Sequence, residues 1–372
     1  MVEKDKPLRE SIKNLNAPAI IAFGNPLLDM FVKIKDNDLL KKYNLNIDGK
    51  AEFSEDKMQE LLADIPQESK QIVYPGGSAQ NTMRIIQWLY DETFQNRYCI
   101  FSGAIGNDCK GIMLQSLVQS AGVDARYTIH SNLSTGQCIV LISEPYRSLV
   151  ANVGAAAKYT LNDLKTCNLS FDRIKIIYIE GFFILHNFSV IKELVKQAEE
   201  RDIIIAFNIS GTYIFNDFRT AVCEMIGHSN IVFGNSKEME ALAQSLNLTY
   251  DDVSDIPFLL NSLKRITINV CNTVKKDWLR HGGVFVMTQG TSAPTIAVWG
   301  KSQSAQVLPI KPKIPVIDTI DADDALAAGF LAGVLARWKP KHCLEYGCKI
   351  ASYIRTIYGV KLPDNVPSDL LE

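Results

Sequence analysis

The chain has neither a long apolar run nor an excess of charge of one sign. Thirty-nine Lys and Arg residues stand against forty-one Asp and Glu residues, which leaves a net charge of −2. Such a balance provides no extended field to attract nucleic acid or a membrane surface, so we expect neither partner. The longest apolar runs are also well below the roughly 18 residues that a membrane-spanning helix needs.

Cysteine pairs with metal-ligand spacing are missing as well. The eight cysteines include no C-x-x-C pair, and the five histidines are dispersed. We therefore expect reduced thiols, mostly buried as small apolar side chains. The opening MVEKDKPLRESIKNLNAPAI carries charges throughout and no apolar stretch. We expect a mobile tail over residues 1–18 rather than a signal peptide, and a cytoplasmic or nuclear setting.

Short β-branched runs recur along the rest of the chain, with amphipathic stretches between them. Examples are AIIAFG, IIIAFNIS and VFVMTQG, which are apolar almost throughout, as expected for parallel strands covered on both faces. The alternation predicts an α/β fold, a doubly wound and mainly parallel sheet flanked by helices. No Gly-x-Gly-x-x-Gly follows a strand, which argues against a dinucleotide-dependent dehydrogenase.

Two segments break this rhythm, because they read as consecutive strands and short charged pieces. We expect residues 30–75 and 126–155 to form a small lid domain of α/β type from two separate parts of the chain. Residues 19–29, 76–125 and 156–372 then form the large, nucleotide-binding domain.

Two motifs follow strands near the start of the chain. GNPLLD ends the first strand, and ligands of open α/β sheets bind beyond strand carboxyl ends, so Asn25 and Asp29 are candidate ligand contacts. PGGSAQN joins a strand to a helix, where Gly77 lets a ligand approach the backbone. The alternatives are a plain Asn/Asp turn and a helix capped by Ser78.

Two further motifs carry charge or oxygen ligands. Arg147, in RSLVAN within the predicted lid, has a forked guanidinium that could close over a phosphate, although a surface arginine at a strand start is the usual alternative. Asn235 and Glu238, at a strand-to-helix junction, could hold a hydrated magnesium ion, or they could simply start the helix.

The order of these motifs resembles that of the ribokinase-like sugar and nucleoside kinases. The series is GNPLLD, GGSAQN, TGQC, RSLVAN, GFF, FNIS, GNSKE, TQG and DTIDADDA, which covers residues 19–365. GNPLLD, RSLVAN and GFF resemble the adenosine kinases in particular. This implies an ATP-dependent transfer that makes AMP from adenosine in purine salvage, by a monomer.

The resemblance also implies roles for individual residues. Asp324 would be the catalytic base and Arg147 would contact the transferred phosphate. Asn235 and Glu238 would position Mg²⁺, the expected cofactor. The ATP-binding set would be Asn235, Thr288, Gly290, Asp321, Ala322 and Asp323. The adenosine-binding set would be Asn25, Leu27, Asp29, Gly77, Ser78, Asn81, Cys138, Leu149, Ala151, Phe183 and Tyr213.

One loop departs from the family pattern. Where the family reads Asp-Thr-Asn-Gly-Ala-Gly-Asp, this chain reads DTIDADD over residues 318–324, so both glycines are aspartates. The glycines let backbone N–H groups at a helix N-terminus surround the phosphate. Each added carboxylate repels a unit charge about 4 Å away by roughly 4 kcal/mol at an effective dielectric near 20.

Two hypotheses follow for function. The first is an active adenosine kinase whose rate is reduced by Asp321 and Asp323. The second is a catalytically inactive relative that keeps the adenosine site and acts as a nucleoside-binding or structural partner protein.

At the N-terminus of the next helix, the same aspartates are expected to cap free N–H groups. They could also recruit a second magnesium ion. A second departure is Lys50–Glu52, which replaces a Gln-containing apolar stretch in the lid.

Overall fold

The computed structural model describes residues 6–47, 49–66, 69, 71–144, 146–248, 256–264 and 283–372. Of the eight cysteines, Cys271 lies outside these residues. No helix among the described residues combines the length and the apolar character needed to cross a bilayer.

Strands and helices alternate along most of the chain. The strands are β1 Ile20–Phe23, β2 Leu27–Lys33, β3 Lys50–Glu52, β4 Gln71–Gly76, β5 Cys99–Gly106, β6 Asp124–His130, β7 Gln137–Ser143, β8 Tyr146–Asn152, β9 Ile176–Glu180, β10 Ile204–Asn208, β11 Ile231–Asn235, β12 Val284–Thr288, β13 Thr295–Trp299 and β14 Gln303–Val307. The helices are α1 Leu8–Ser11, α2 Asp38–Lys42, α3 Glu55–Asp64, α4 Ser78–Tyr90, α5 Cys109–Ser120, α6 Leu161–Thr166, α7 Ile184–Arg201, α8 Ile214–Gly227, α9 Ser236–Ser245, α10 Ile256–Lys264, α11 Ala322–Leu335, α12 Pro340–Ile354 and α13 Ser368–Leu371. Short 3₁₀ helices cover Gly154–Lys158 and Gly181–Phe183.

A nine-stranded sheet forms the large domain, in the order β14-β13-β12-β11-β10-β9-β1-β5-β6. Its strands run parallel except for β13, which is antiparallel to both of its neighbours. Successive residues of a strand face opposite sides of the sheet. Accordingly, Ile20 and Ala22 pack with α4, α11 and α12, whereas Ile21 and Phe23 pack with α7, α8 and α9. Both faces are therefore apolar, as the sequence predicts.

A five-stranded sheet, in the order β3-β8-β7-β2-β4, forms the lid. One face of this sheet packs on α3, where Met58 and Leu61 are buried. Ser54 caps α3 by accepting a hydrogen bond from the backbone N–H of Lys57. The other face of the sheet is turned towards the large domain.

The predicted lid boundaries need correction at both ends. The whole of β2 pairs within the lid sheet, so the lid begins near Leu27 rather than at residue 30. β6 belongs to the large sheet, because it pairs in parallel with β5 from Ile100↔Asp124 to Gly106↔His130. The ARYTIH strand therefore completes a β5-α5-β6 crossover unit, and the second lid segment begins after it.

The expected mobile tail is also wrong for the described residues 6–18. Leu8 and Ile12 are buried in the core formed by α4, α11 and α12. The indole Nε1 of Trp338 donates to the carbonyl of Lys6 at 3.1 Å, and Arg9 pairs with Glu92 at 2.8 Å. A short helix with two apolar anchors holds this segment, a pattern too brief for sequence periodicity to reveal.

Candidate active site

A cavity of about 490 Å³ lies between the carboxyl ends of the large sheet's strands and the free face of the lid. Most of the residues named from the sequence line it. They are Asn25, Leu27, Asp29, Gly77, Ser78, Asn81, Cys138, Leu149, Ala151, Tyr213, Asn235, Glu238, Thr288, Asp321, Asp323 and Asp324. The topology explains their convergence, because parallel strands present their carboxyl ends at one edge of a sheet.

Two side chains on one wall are prepared for a ligand. Asn25 and Asp29 are buried, yet the Oδ1 atom of each has no hydrogen-bond partner within the described structure. Buried polar atoms without partners are costly, and a ligand that donates to them removes that cost. Gly76 makes room for this carboxylate, since a Cβ there would lie 1.9 Å from Asp29 Oδ1.

Glu180 supports the same wall, and the sequence analysis missed it. Its buried carboxylate accepts hydrogen bonds from the backbone N–H groups of Asn25, at 2.6 Å, and Ala79, at 2.8 Å. Burial raises the pKa of Glu180 to about 7, against the lowering effect of these two hydrogen bonds. The carboxylate fixes the Gly24–Asn25 turn and the first turn of α4 in one place. An acid ending the apolar run IIYIE was the available signal.

A second wall of the cavity is formed by the end of the acidic loop and the first turn of α11. Asp324 is buried, and its Oδ1 accepts a hydrogen bond from Ser78 Oγ at 2.7 Å. Asp321 is also buried, and its Oδ1 accepts from Asn81 Nδ2 at 3.0 Å. Asp321 is the N-cap residue of α11, but its side chain makes no capping hydrogen bond. The expectation that it caps the helix is wrong, because the carboxylate turns towards α4 instead.

Burial of these acids changes their proton affinity. The pKa of Asp324 is raised well above its ordinary value, mainly by burial and then by the charge of Asp321. Burial and the charge of Asp318 raise the pKa of Asp321 to about 7. The pKa of Asp29 is raised as well, mainly by burial and then by Asp321. The acids therefore raise one another's pKa, but loss of solvation is the larger cause.

A buried arginine behind the wall partly offsets this charge. Arg84, on α4, donates to Asn81 Oδ1 at 2.9 Å and to the carbonyl of Val360 at 2.8 Å. Its positive charge lowers the pKa of both Asp29 and Asp321, while burial lowers its own pKa to about 10. An arginine between Met83 and Ile85 in the middle of α4 is the signal that the sequence analysis did not use.

Arg147 does not line the cavity. Its guanidinium donates to the backbone carbonyls of Tyr146, at 3.0 Å, and Ile317, at 3.2 Å. It lies on β8 two residues before Leu149, which places it on the cavity face of the lid but beyond the cavity's edge. Contact between Arg147 and a transferred phosphate would require the lid to take another position. Lys50 is the only lysine or arginine in the described lining, against seven carboxylates.

Phe183 also lies elsewhere than predicted, and its neighbour takes its place. Phe183 is fully buried against Phe23 and Tyr159, with ring centroids 6.3 and 6.0 Å away. Phe182 lines the cavity and stacks on Tyr213 at 5.8 Å, with 19° between the rings. Adjacent phenylalanines point in different directions, and the sequence alone does not tell which one faces the ligand.

Two members of the predicted ATP set are absent from the cavity lining. Ala322 is the first residue of α11, and Gly290 has a φ of +67°, with open space around it. Thr288, which ends β12, does line the cavity.

Asn235 and Glu238 form a capping box at the start of α9. Asn235 Oδ1 accepts from the N–H of Glu238 at 3.0 Å, and Glu238 Oε2 accepts from the N–H of Asn235 at 2.9 Å. Burial raises the pKa of Glu238 to about 7. Their oxygen atoms suit Mg²⁺, which binds through one or two carboxylates, waters and substrate phosphates. No cluster of three or more His, Cys, Asp or Glu side chains in the described ranges could hold a metal by itself.

The nine-stranded sheet, the five-stranded lid and the cavity between them define a protein of the ribokinase-like fold class. The model of the pfkB family of carbohydrate kinases matches residues 52–366, and the chain belongs to that family.

Characterised relatives include adenosine kinases. The chain is 28% identical to adenosine kinase of Dictyostelium discoideum, over 94% of this chain and 97% of the relative. It is 26% identical to adenosine kinase 2 of Arabidopsis thaliana, over 93% and 96%. Adenosine kinase from Schistosoma mansoni, solved with adenosine in an occluded loop conformation, superimposes with a TM-score of 0.80 at 28% identity, covering 94% of this chain and 98% of that one.

Proposed function

We propose that this protein transfers the γ-phosphoryl group of ATP to the 5′-hydroxyl of adenosine, forming ADP and AMP in purine salvage. The observation that carries the proposal is the convergence of Asp29 and Asp324 on one cavity under the lid. The similarity to adenosine kinases supports the choice of substrate. Transfer is slowed by the two aspartates that replace glycines in the loop before Asp324.

Adenosine binds to the wall that offers unpartnered polar atoms. Asp29 accepts hydrogen bonds from the ribose hydroxyls beside Gly77 and Asn81, and Asn25 meets the base. The apolar side chains of the lid, together with the stacked rings of Phe182 and Tyr213, enclose the purine. A polar pair with an aromatic slot is sufficient for micromolar affinity, about −8 kcal/mol.

Asp324 removes the proton of the 5′-hydroxyl as that oxygen attacks. Ser78 holds one carboxylate oxygen of Asp324 and leaves the other for the substrate. Only the ionised form accepts a proton, and burial raises the pKa of Asp324, so transfer should increase as the pH rises through that pKa. Asn235 and Glu238 would hold Mg²⁺, which would offset the negative charge of the triphosphate.

Asp321 and Asp323 oppose the binding of ATP. Both line the cavity at the N-terminus of α11, where backbone N–H groups would otherwise face the phosphate. Repulsion at about half the strength of a roughly 4 kcal/mol unit pair would already weaken ATP binding more than tenfold. This observation also favours a second candidate function, a nucleoside-binding protein without transferase activity that acts through a protein partner.

Two measurements on the same preparation separate these functions. Transfer of radiolabelled γ-phosphate from ATP to adenosine reports the reaction, and titration calorimetry with adenosine alone reports the site. Adenosine binding with transfer that disappears in Asp324→Asn supports the kinase. Adenosine binding without transfer supports the second function, and no binding of adenosine rejects both.

A further inference from the structure

Strand β3 places two charged side chains on the cavity face of the lid. β3 pairs in parallel with β8, with Lys50 opposite Leu149 and Glu52 opposite Ala151. Leu149 and Ala151 line the cavity, and paired residues on neighbouring strands share a face. Lys50 and Glu52 therefore face the cavity, as their own presence in the lining confirms.

The side chain of Glu52 lies close to that of a histidine in the large domain. His186 Nε2 lies 3.8 Å from Glu52 Oε1, and both side chains line the cavity. The two side chains are 32% and 42% exposed, so they stand at the mouth of the cavity, within reach of a ligand. His186 follows Phe182 by four residues at the start of α7, beside the ring stack of Phe182 and Tyr213. The charge of Glu52 contributes to the raised pKa of Tyr213, after burial.

The register of the lid fixes the distance between its two ligand-facing acids. Asp29 pairs with Cys138, Cys138 with Ala151, and Ala151 with Glu52. Three spacings between strands place Asp29 and Glu52 about 14 Å apart along one row. The two residues between them have small side chains. A nucleoside with its ribose at Asp29 would lie along this row and present the edge of its base to Glu52.

We propose that Glu52 recognises the exocyclic amino group of the purine and that His186 is the positioning residue for its carboxylate. The inference rests on the proposed function, because it takes the nucleoside to lie with its ribose at Asp29. A carboxylate accepts hydrogen bonds and donates none, so it favours a base edge that carries N–H donors. This pair makes the chain selective for amino-bearing purine nucleosides.

The test compares adenosine with purine riboside, which is the same nucleoside without the amino group. Titration calorimetry of wild-type protein should show tighter binding of adenosine by about fivefold or more, as a hydrogen bond to a partly exposed carboxylate would give. Glu52→Leu should abolish this preference and leave the affinity for purine riboside within about twofold of wild type.

Two sets of variants serve as controls. Lys50→Met removes a charge from the same face of the same strand and should keep the preference for adenosine. His186→Leu should reduce the preference, while His186→Gln, which retains a hydrogen-bonding group, should restore most of it. The ratio of the two affinities is a readout that a purely structural role of His186 would leave unchanged.

The remaining outcomes overturn the proposal in distinguishable ways. Equal affinities of wild-type protein for the two ligands show that the amino group is not recognised. Equal losses for both ligands in Glu52→Leu assign the Glu52–His186 pair to closure of the lid. Failure of both ligands to bind wild-type protein rejects the adenosine site itself, and with it the proposed function.

Discussion

The two walls of the cavity differ in how their polar groups are satisfied. On the adenosine wall, Oδ1 atoms of Asn25 and Asp29 are buried without a partner. At the N-terminus of α11, Asp321 and Asp324 already accept hydrogen bonds from Asn81 and Ser78. The first wall gains hydrogen bonds when a ligand arrives, whereas one oxygen of each acid on the second wall is already engaged. A site can therefore keep its affinity for one substrate while losing affinity for the other.

The largest effect is expected from removal of the base. Asp324→Asn keeps the shape of the side chain but cannot accept the proton, so phosphoryl transfer should fall at least about 100-fold. Adenosine affinity should stay within about twofold, because the ribose is held by the other wall. Transfer and calorimetry on the same variant check both statements. A variant that keeps its transfer rate would remove Asp324 from the mechanism.

A smaller effect is expected on the adenosine wall. Asp29→Ala should weaken adenosine binding by at least about 1.5 kcal/mol, or more than tenfold, because hydrogen bonds to a charged acceptor are lost. Calorimetry at fixed pH measures this change. Asp364→Ala, an exposed acid outside the cavity lining, is the matched control. Unchanged affinity in Asp29→Ala would mean that adenosine binds elsewhere.

The smallest effect concerns the stability of the unliganded protein. The folded-state pKa of Asp321 is raised to about 7, so the folded protein favours the neutral carboxyl. The neutral Asp321 carboxyl contributes its full stabilisation of the folded state below about pH 4, which is the pKa of Asp in the unfolded chain. That contribution is lost as the pH rises through about 7. Between pH 6 and 8, the free energy of unfolding of wild type should fall by about 1.4 kcal/mol relative to Asp321→Asn, which cannot ionise.

Thermal or urea unfolding at the two pH values measures that difference. Asp364→Asn, at an exposed position, should follow the wild-type pH dependence. Parallel curves for wild type and Asp321→Asn would show that Asp321 does not titrate across this range, and would contradict the raised pKa of its buried carboxyl.

Much of the site was predictable because strand ends and motif order are local signals. GNPLLD, PGGSAQN and the loop at 318–324 each follow or precede a strongly patterned element, so the fold brings Asp29, Gly77 and Asp324 into one cavity. Helix α4, Ser78–Tyr90, likewise begins directly after the Gly-Gly pair of PGGSAQN.

The rest depended on packing that no local pattern encodes. The choice between Phe182 and Phe183 is made by the neighbouring rings of Phe23 and Tyr159. The direction of Asp321 is decided by an amide on a different helix, that of Asn81. β6 was assigned to the lid from its appearance, but its membership follows from the crossover through α5.

Restoring both glycines of the loop tests most directly whether Asp321 and Asp323 oppose ATP binding. Asp321→Gly with Asp323→Gly removes two repulsions of more than about 1.4 kcal/mol each, so ATP should bind at least tenfold more tightly and phosphoryl transfer should accelerate. Adding Ile320→Asn should help further by returning a polar group to the turn. Asp56→Gly, at the N-terminus of α3 and outside the cavity lining, controls for loss of a helix-terminal acid. Rapid transfer by wild type that slows in the double glycine variant would contradict the account.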